Sequence, residues 1–157
     1  MSASSEKACM ESALRLLGGR DHSRRELADK LRQRGYAAPD IAVVTAECLR
    51  LDYLNDEKFA RLYLQQLRRK GYGQFRIRHM LQVKGLGAQL IEDLLASDCD
   101  VAAQSADCRR ALAKKLSKTE YDRNLPDLKV RLHRFLLNRG FPADIVRKTL
   151  QQALPVE

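Results

Sequence analysis

Residues 77–86 read IRHMLQVKGL, and the same design recurs as LADKLRQRGY at 27–36 and LHRFLLNRGF at 132–141. In each copy an apolar residue stands eight and four positions before a glycine: Leu27 and Leu31, Ile77 and Leu81, Leu132 and Leu136. That spacing puts both on one face of a helix. Gly35, Gly85 and Gly140 are predicted helix stops, because the chain turns left-handed just past a helix end and any other residue there strains its β-carbon. The residue after each glycine is apolar and pairs with the second leucine, giving Leu31 with Tyr36, Leu81 with Leu86 and Leu136 with Phe141, as a Schellman turn requires. Arg34, Lys84 and Arg139 just precede the glycines, where a cation meets the negative end of the helix dipole.

Working outward, a second helix is predicted after each stop: PDIAVVTAECLRL, GAQLIEDLLA and PADIVRKTLQQAL. Ile41, Leu90 and Ile145 read as equivalent apolar starts, and Pro39 and Pro142 are tolerated in a first turn. Another helix precedes each copy. The clearest is NDEKFARLYLQQLRRKG, with a stripe of Phe59, Leu62, Tyr63 and Leu67, Asn55 or Asp56 as cap, and Gly71 as stop. Residues 8–17 and 100–117 hold the same place in the other copies, and Ser23-Arg24-Arg25-Glu26 fits a capping box. The pattern predicts an all-α fold of three tandem three-helix repeats, at 1–54, 55–97 and 98–157, forming an elongated, curved modular chain.

Charge separates the copies. Residues 1–56 hold nine Lys or Arg against nine acids, 57–97 hold eight against three, and 98–157 hold twelve against eight, so the net charge of +9 lies in the second and third repeats. Nine and six positions before the glycine, Glu26 and Asp29 of the first copy become Arg76 and His79 in the second and Arg131 and Arg134 in the third. From Phe59 to Ile91 there are seven cations and no acid. An ordinary solvated face mixes signs. A polyanion or an acidic protein surface is the partner such a face suits, and Arg68, Arg69, Lys70, Arg76, Arg78, Arg131 and Arg134 are its candidate residues.

The remaining features exclude more than they suggest. Cys9, Cys48, Cys99 and Cys108 have no CxxC spacing and read as small apolar core residues in a reducing cytoplasm. His22, His79 and His133 are scattered, no nucleophile or metal motif is present, and Gly71-Tyr72-Gly73 lacks the rest of a phosphate-binding loop, so neither an enzyme, a cofactor nor a metal is expected. No apolar run approaches a membrane span, and no leader peptide is expected. A helix-turn-helix reader would present base-reading side chains on each third helix. Only ADIVRKTLQQA, with Arg147, Lys148, Gln151 and Gln152, could do so. Backbone contact without sequence readout stays open, and so does an independent protein that coats nucleic acid.

YLNDEKFARLY followed by RRKGYGQFRIRHMLQVKGL, with SRRELADKLRQRGY before and RFLLNRGF after, resembles the RecX family of regulators of the RecA-type recombinase. The resemblance runs from about Ala8 to Leu154. It departs at Asp52, where many relatives have glycine, and at Tyr63, where an indole is common. It implies a small monomeric protein of tandem three-helix repeats. Such a protein would bind the recombinase filament on single-stranded DNA and suppress its ATP hydrolysis, co-protease and strand-exchange activities, docking in the filament groove. Some relatives also contact DNA directly.

Overall fold

The computed structural model describes residues 3–118 and 127–154. These form nine helices and no strand: α1 Ala3–Gly19, α2 Arg24–Gln33, α3 Ala38–Arg50, α4 Asp56–Arg69, α5 Gln74–Val83, α6 Ala88–Asp98, α7 Val101–Lys118, α8 Leu128–Asn138 and α9 Ala143–Ala153. The predicted stops are the residues that turn left-handed, with φ of 91° at Gly35, 87° at Gly71, 78° at Gly85 and 100° at Gly140. Each carries both Schellman bonds. The N–H after the glycine reaches back to the leucine carbonyl in Tyr36→Leu31 (3.2 Å), Tyr72→Leu67 (3.1 Å), Leu86→Leu81 (3.4 Å) and Phe141→Leu136 (3.3 Å). A fifth such turn uses Asp52, at φ 60°, with Tyr53 donating to the Cys48 carbonyl at 2.8 Å. There an L-residue bears the strain that glycine avoids elsewhere.

Two expectations shift by a residue or two. On α4 the buried stripe is Phe59, Ala60, Leu64 and Leu67, while Leu62 is 54% exposed. The small Ala60 takes the inward position that the larger Leu62 was expected to fill. In the third helix of each copy, the position buried in all three is one residue later than read at Leu90 and Ile145: Ile41, Ile91 and Val146. Leu90 is only half-buried, and the first copy has Asp40 at its place.

The chain sorts into two compact units, Met1–Leu62 with Leu81–Ala88, and Tyr63–Met80 with Gln89–Glu157. In the first, α1 to α3 close around Cys9, Ala13, Leu27, Leu31, Ile41, Val44, Cys48 and Leu54. The start of α2 is tied to the end of α5. Ser23 Oγ accepts from the Glu26 N–H (3.1 Å) and donates to the Lys84 carbonyl (2.7 Å), while the Arg24 N–H donates to Asp56 Oδ1 (2.8 Å). The capping box is therefore half formed. Glu26 is held instead by Arg20, at 2.9 and 3.1 Å, and by Lys84, which the dipole reading had assigned to its own helix end. Beside this network the buried His22 donates from Nδ1 to the Arg20 carbonyl (2.9 Å) and accepts at Nε2 from Lys30 (2.9 Å), an arrangement that requires a neutral ring.

In the second unit, α7 to α9 enclose Cys108, Leu112, Leu128, Leu132, Leu136, Phe141, Ile145, Val146 and Leu150. Here the start of α5 meets the end of α8 in the same way, but through the main chain. The Gly73 N–H donates to the Arg139 carbonyl (2.8 Å), the Phe75 N–H to the Gly140 carbonyl (3.0 Å), and the Gln74 N–H to Oε1 of buried Gln104 (2.9 Å). A β-carbon on Gly73 would stand 2.6 Å from the Gly140 oxygen, and one on Gly140 would stand 2.5 Å from the Arg76 nitrogen. Gly73 is thus more than a turn residue: it lets two backbones touch.

Two tests follow from these contacts. Replacing Asp52 by glycine relieves a left-handed L-residue at the cost of an exposed Asn55–Asp52 side-chain bond, and should stabilise the protein by about 0.5–1 kcal/mol, read as a raised midpoint in urea. The second concerns pH. Burial opposes ionisation of Glu26, but hydrogen bonds and charge from Arg20 and Lys84 outweigh it and lower its pKa from 4.5 to about 2. Burial lowers the His22 pKa below 6.5. Both groups bind fewer protons folded than unfolded, so stability falls with acidification, first below about pH 6.5 through His22 and then from about 4.5 towards 2 through Glu26. Glu26→Gln should remove the second phase, on the order of 2–3 kcal/mol, and leave the first, measured as urea midpoints against pH.

Candidate partner-binding face

The seven candidate cations divide by what they touch. Arg68, near the end of α4, grips Asp107 of α7 with Nε–Oδ2 at 2.7 Å and Nη2–Oδ1 at 3.3 Å. Asp107 is 1% exposed and also takes Arg110. A buried carboxylate must be neutralised where it sits, so Arg68 is a fastener of α4 to α7. Arg78 pairs with Glu92 at 2.8 and 3.3 Å and lies 5.8 Å from the Phe75 ring centroid. Arg131 pairs with Asp127 one turn away on the surface at 2.9 Å.

Arg69, Lys70, Arg76 and Arg134 are exposed, and no ion pair among the described residues includes them. Arg76 lies 5.4 Å from the Tyr72 ring centroid, and Arg139 lies 4.1 Å from the same ring. Two guanidinium groups on one ring hold the turn between α4 and α5 in a fixed shape. Phe75, one residue before Arg76, is 53% exposed. The turn thus displays an aromatic ring beside cations that carry no acidic partner. The four cysteines are all buried and unpaired, and burial pushes the Cys99 thiol up to about 11, so it stays protonated and inert at neutral pH.

With the fold and this face described, comparison with known proteins is decisive. The family profile described as "RecX, first three-helix domain" matches residues 9–48, and "RecX, second three-helix domain" matches 55–95. The chain belongs to the RecX family. A "Regulatory protein RecX" of Legionella pneumophila (strain Corby) is 36% identical over 142 residues, 90% of this chain and 92% of that one. One from Chlorobaculum tepidum is 35% identical over 162 residues, 100% and 95% of the two chains. The crystal structure of RecX from Lactobacillus salivarius shares the fold with a TM-score of 0.81 at 23% identity, covering 96% of this chain and 97% of that one. The crystal structure of a second regulatory protein RecX does so with 0.75 at 15%, covering 92% and 71%. A regulatory role is what this kinship supports. None of the helices among the described residues is long and apolar enough to cross a membrane.

The sequence also conceals cations that only the fold brings together. Lys70 and Arg139 line a cavity of about 250 Å³ with Lys114, Lys115 and Lys118 of α7, over Ala111 and Phe135. The signal was present in ALAKKLSK (111–118), where basic residues sit one turn apart, but a charged helix alone does not reveal which other helix ends face it. Arg139 had been assigned to its own helix dipole. It donates from Nε to the Gly71 carbonyl (3.1 Å) and from Nη2 to the Lys70 carbonyl, capping α4 instead.

Removing Arg68 should behave differently from removing its neighbour. Arg68→Ala leaves Asp107 buried with only the largely exposed Arg110 and should cost about 2–3 kcal/mol, whereas Arg69→Ala should change stability by less than about 0.5 kcal/mol. Thermal or urea denaturation of the two variants reads the difference directly.

Proposed function

We propose that this protein is a negative regulator of a RecA-type recombinase. It binds the recombinase filament on single-stranded DNA and restrains ATP hydrolysis, co-protease activity and strand exchange by docking in the filament groove and blocking extension. RecX kinship supports the family role. The observation that carries the reading to a surface is the stretch from Phe59 to Ile91, which holds seven cations and no acid. In the second unit Arg69, Lys70, Arg76 and Arg134 are exposed, and no ion pair among the described residues includes them. Surface ion pairs add little stability, so leaving cations unpaired costs folding little and leaves them available to an acidic partner.

Arg68, Arg78 and Arg131 contribute less to such a contact, because each must first give up a carboxylate. The unpaired residues would meet acidic protomer surface or DNA phosphates within the filament. The first repeat, whose residues 1–56 hold nine cations and nine acids, would make contacts of mixed sign.

Arg76→Glu combined with Arg134→Glu should preserve helicity by circular dichroism and weaken inhibition of recombinase ATPase by about tenfold or more, since each reversal replaces attraction by repulsion. Unchanged inhibition would remove this face from the mechanism. Inhibition at protein concentrations far below that of DNA sites supports filament action; inhibition only once those sites are saturated supports coating of DNA instead.

A further inference from the structure

The cavity between the end of α4, α7 and α8 has a composition that folding alone does not account for. Lys70, Lys114, Lys115, Lys118 and Arg139 line it, and among the described residues no acid does. No ion pair among the described residues includes any of the five. Elsewhere in the same unit several cations are neutralised, Arg68 and Arg110 by Asp107, Arg78 by Glu92 and Arg131 by Asp127, and among the described residues no comparable group of unpaired cations lines another cavity. Five converging like charges repel one another, and a bound anion removes that repulsion.

The geometry narrows which anion. Arg139 spends the N–H of Nε and one of Nη2 on the Gly71 and Lys70 carbonyls, so its guanidinium is locked, with the two N–H groups of Nη1 and the second of Nη2 left to donate. Lys115 Nζ lies 4.8 Å from the Phe135 ring centroid, which fixes a second cation over the apolar floor. Lys114 and Lys118 are one helical turn apart and exposed. A monovalent carboxylate would satisfy a fraction of this charge, while a phosphoryl group brings up to two negative charges and three acceptor oxygens. At about 250 Å³ the space is smaller than a typical small-molecule pocket, which begins near ~300 Å³. It admits one or two phosphoryl groups and leaves whatever carries them outside.

We infer that the cavity formed by Lys70, Lys114, Lys115, Lys118 and Arg139 is a phosphoryl-anion site, able to seat adjacent phosphates of a polyphosphate or of a nucleic-acid backbone. The inference rests on charge and geometry within the second unit and does not require the recombinase reading. It also differs from that reading in its residues, sharing only Lys70.

The test uses the full chain and inorganic pyrophosphate. Pyrophosphate should raise the thermal midpoint above that in sodium chloride of equal ionic strength, and Lys114→Gln with Lys118→Gln, both surface changes, should weaken pyrophosphate affinity by about tenfold or more while leaving the circular dichroism spectrum and the midpoint without pyrophosphate unchanged. A thymidine oligonucleotide that displaces pyrophosphate identifies a nucleic-acid strand as the carrier; saturable pyrophosphate binding that the oligonucleotide does not disturb identifies a free polyphosphate. Either result upholds the site. Stabilisation by pyrophosphate no greater than by chloride, or equal affinity in the double variant, overturns it. Because no recombinase is present, failure here leaves the filament reading intact, and loss of filament inhibition in the Arg76 and Arg134 variant says nothing against this site.

Discussion

The structure depends on what happens at a helix end. A helix that stops leaves carbonyls without partners, and a helix that starts leaves N–H groups without partners. Here one deficit offsets the other. The Arg139 and Gly140 carbonyls, turned outward by the left-handed glycine, accept from the Gly73 and Phe75 N–H groups that open α5. The Lys84 carbonyl, at the corresponding turn, accepts from the Ser23 hydroxyl that caps α2. In both cases a side chain from two helices further along the chain completes the cap, Gln104 of α7 for Gln74 of α5 and Asp56 of α4 for Arg24 of α2. The glycine turn is therefore a terminator for one helix and a receptor for the start of another.

This arrangement explains why surface charge diverged while the scaffold did not. Positions nine and six before the glycine supply no main-chain hydrogen bond to the neighbouring turn, and they hold Glu26 and Asp29 in one copy and Arg76 and His79 in the next. Glu26 is not idle, because it binds Arg20 and Lys84. In the second copy the same face carries cations that the fold does not consume. Whatever the acids of the first repeat do for folding, the second obtains from Gly73, Gln104 and the α8 turn.

The helix stops were legible in the sequence because a Schellman turn is local. Five or six residues contain the glycine, the leucine it points back to and the apolar residue beyond. The pairing of charges was not legible, because Arg68 finds Asp107 across 39 residues and Lys84 finds Glu26 across 58. Composition marked Arg68 as a free cation for the same reason that it marked Arg69: adjacent residues on a helix point about 100° apart, and only the neighbouring helix decides which is covered. The exchange of Leu62 for Ala60 in the core of α4 has a similar origin, since a short apolar window supports two overlapping stripes and packing chooses between them.

The main-chain character of the Gly73 contact carries one more consequence. Bonds between backbone groups ask little of side chains beyond two small glycines and the Gln104 amide that completes the cap, so most exposed side chains can change without loosening this junction. A scaffold tied together this way tolerates deep sequence drift. The two crystal structures that share the fold do so at 23% and 15% identity. Evolution could then treat the helix faces as free territory for recognition, while ancestry survives in the punctuation of the chain more durably than in its vocabulary.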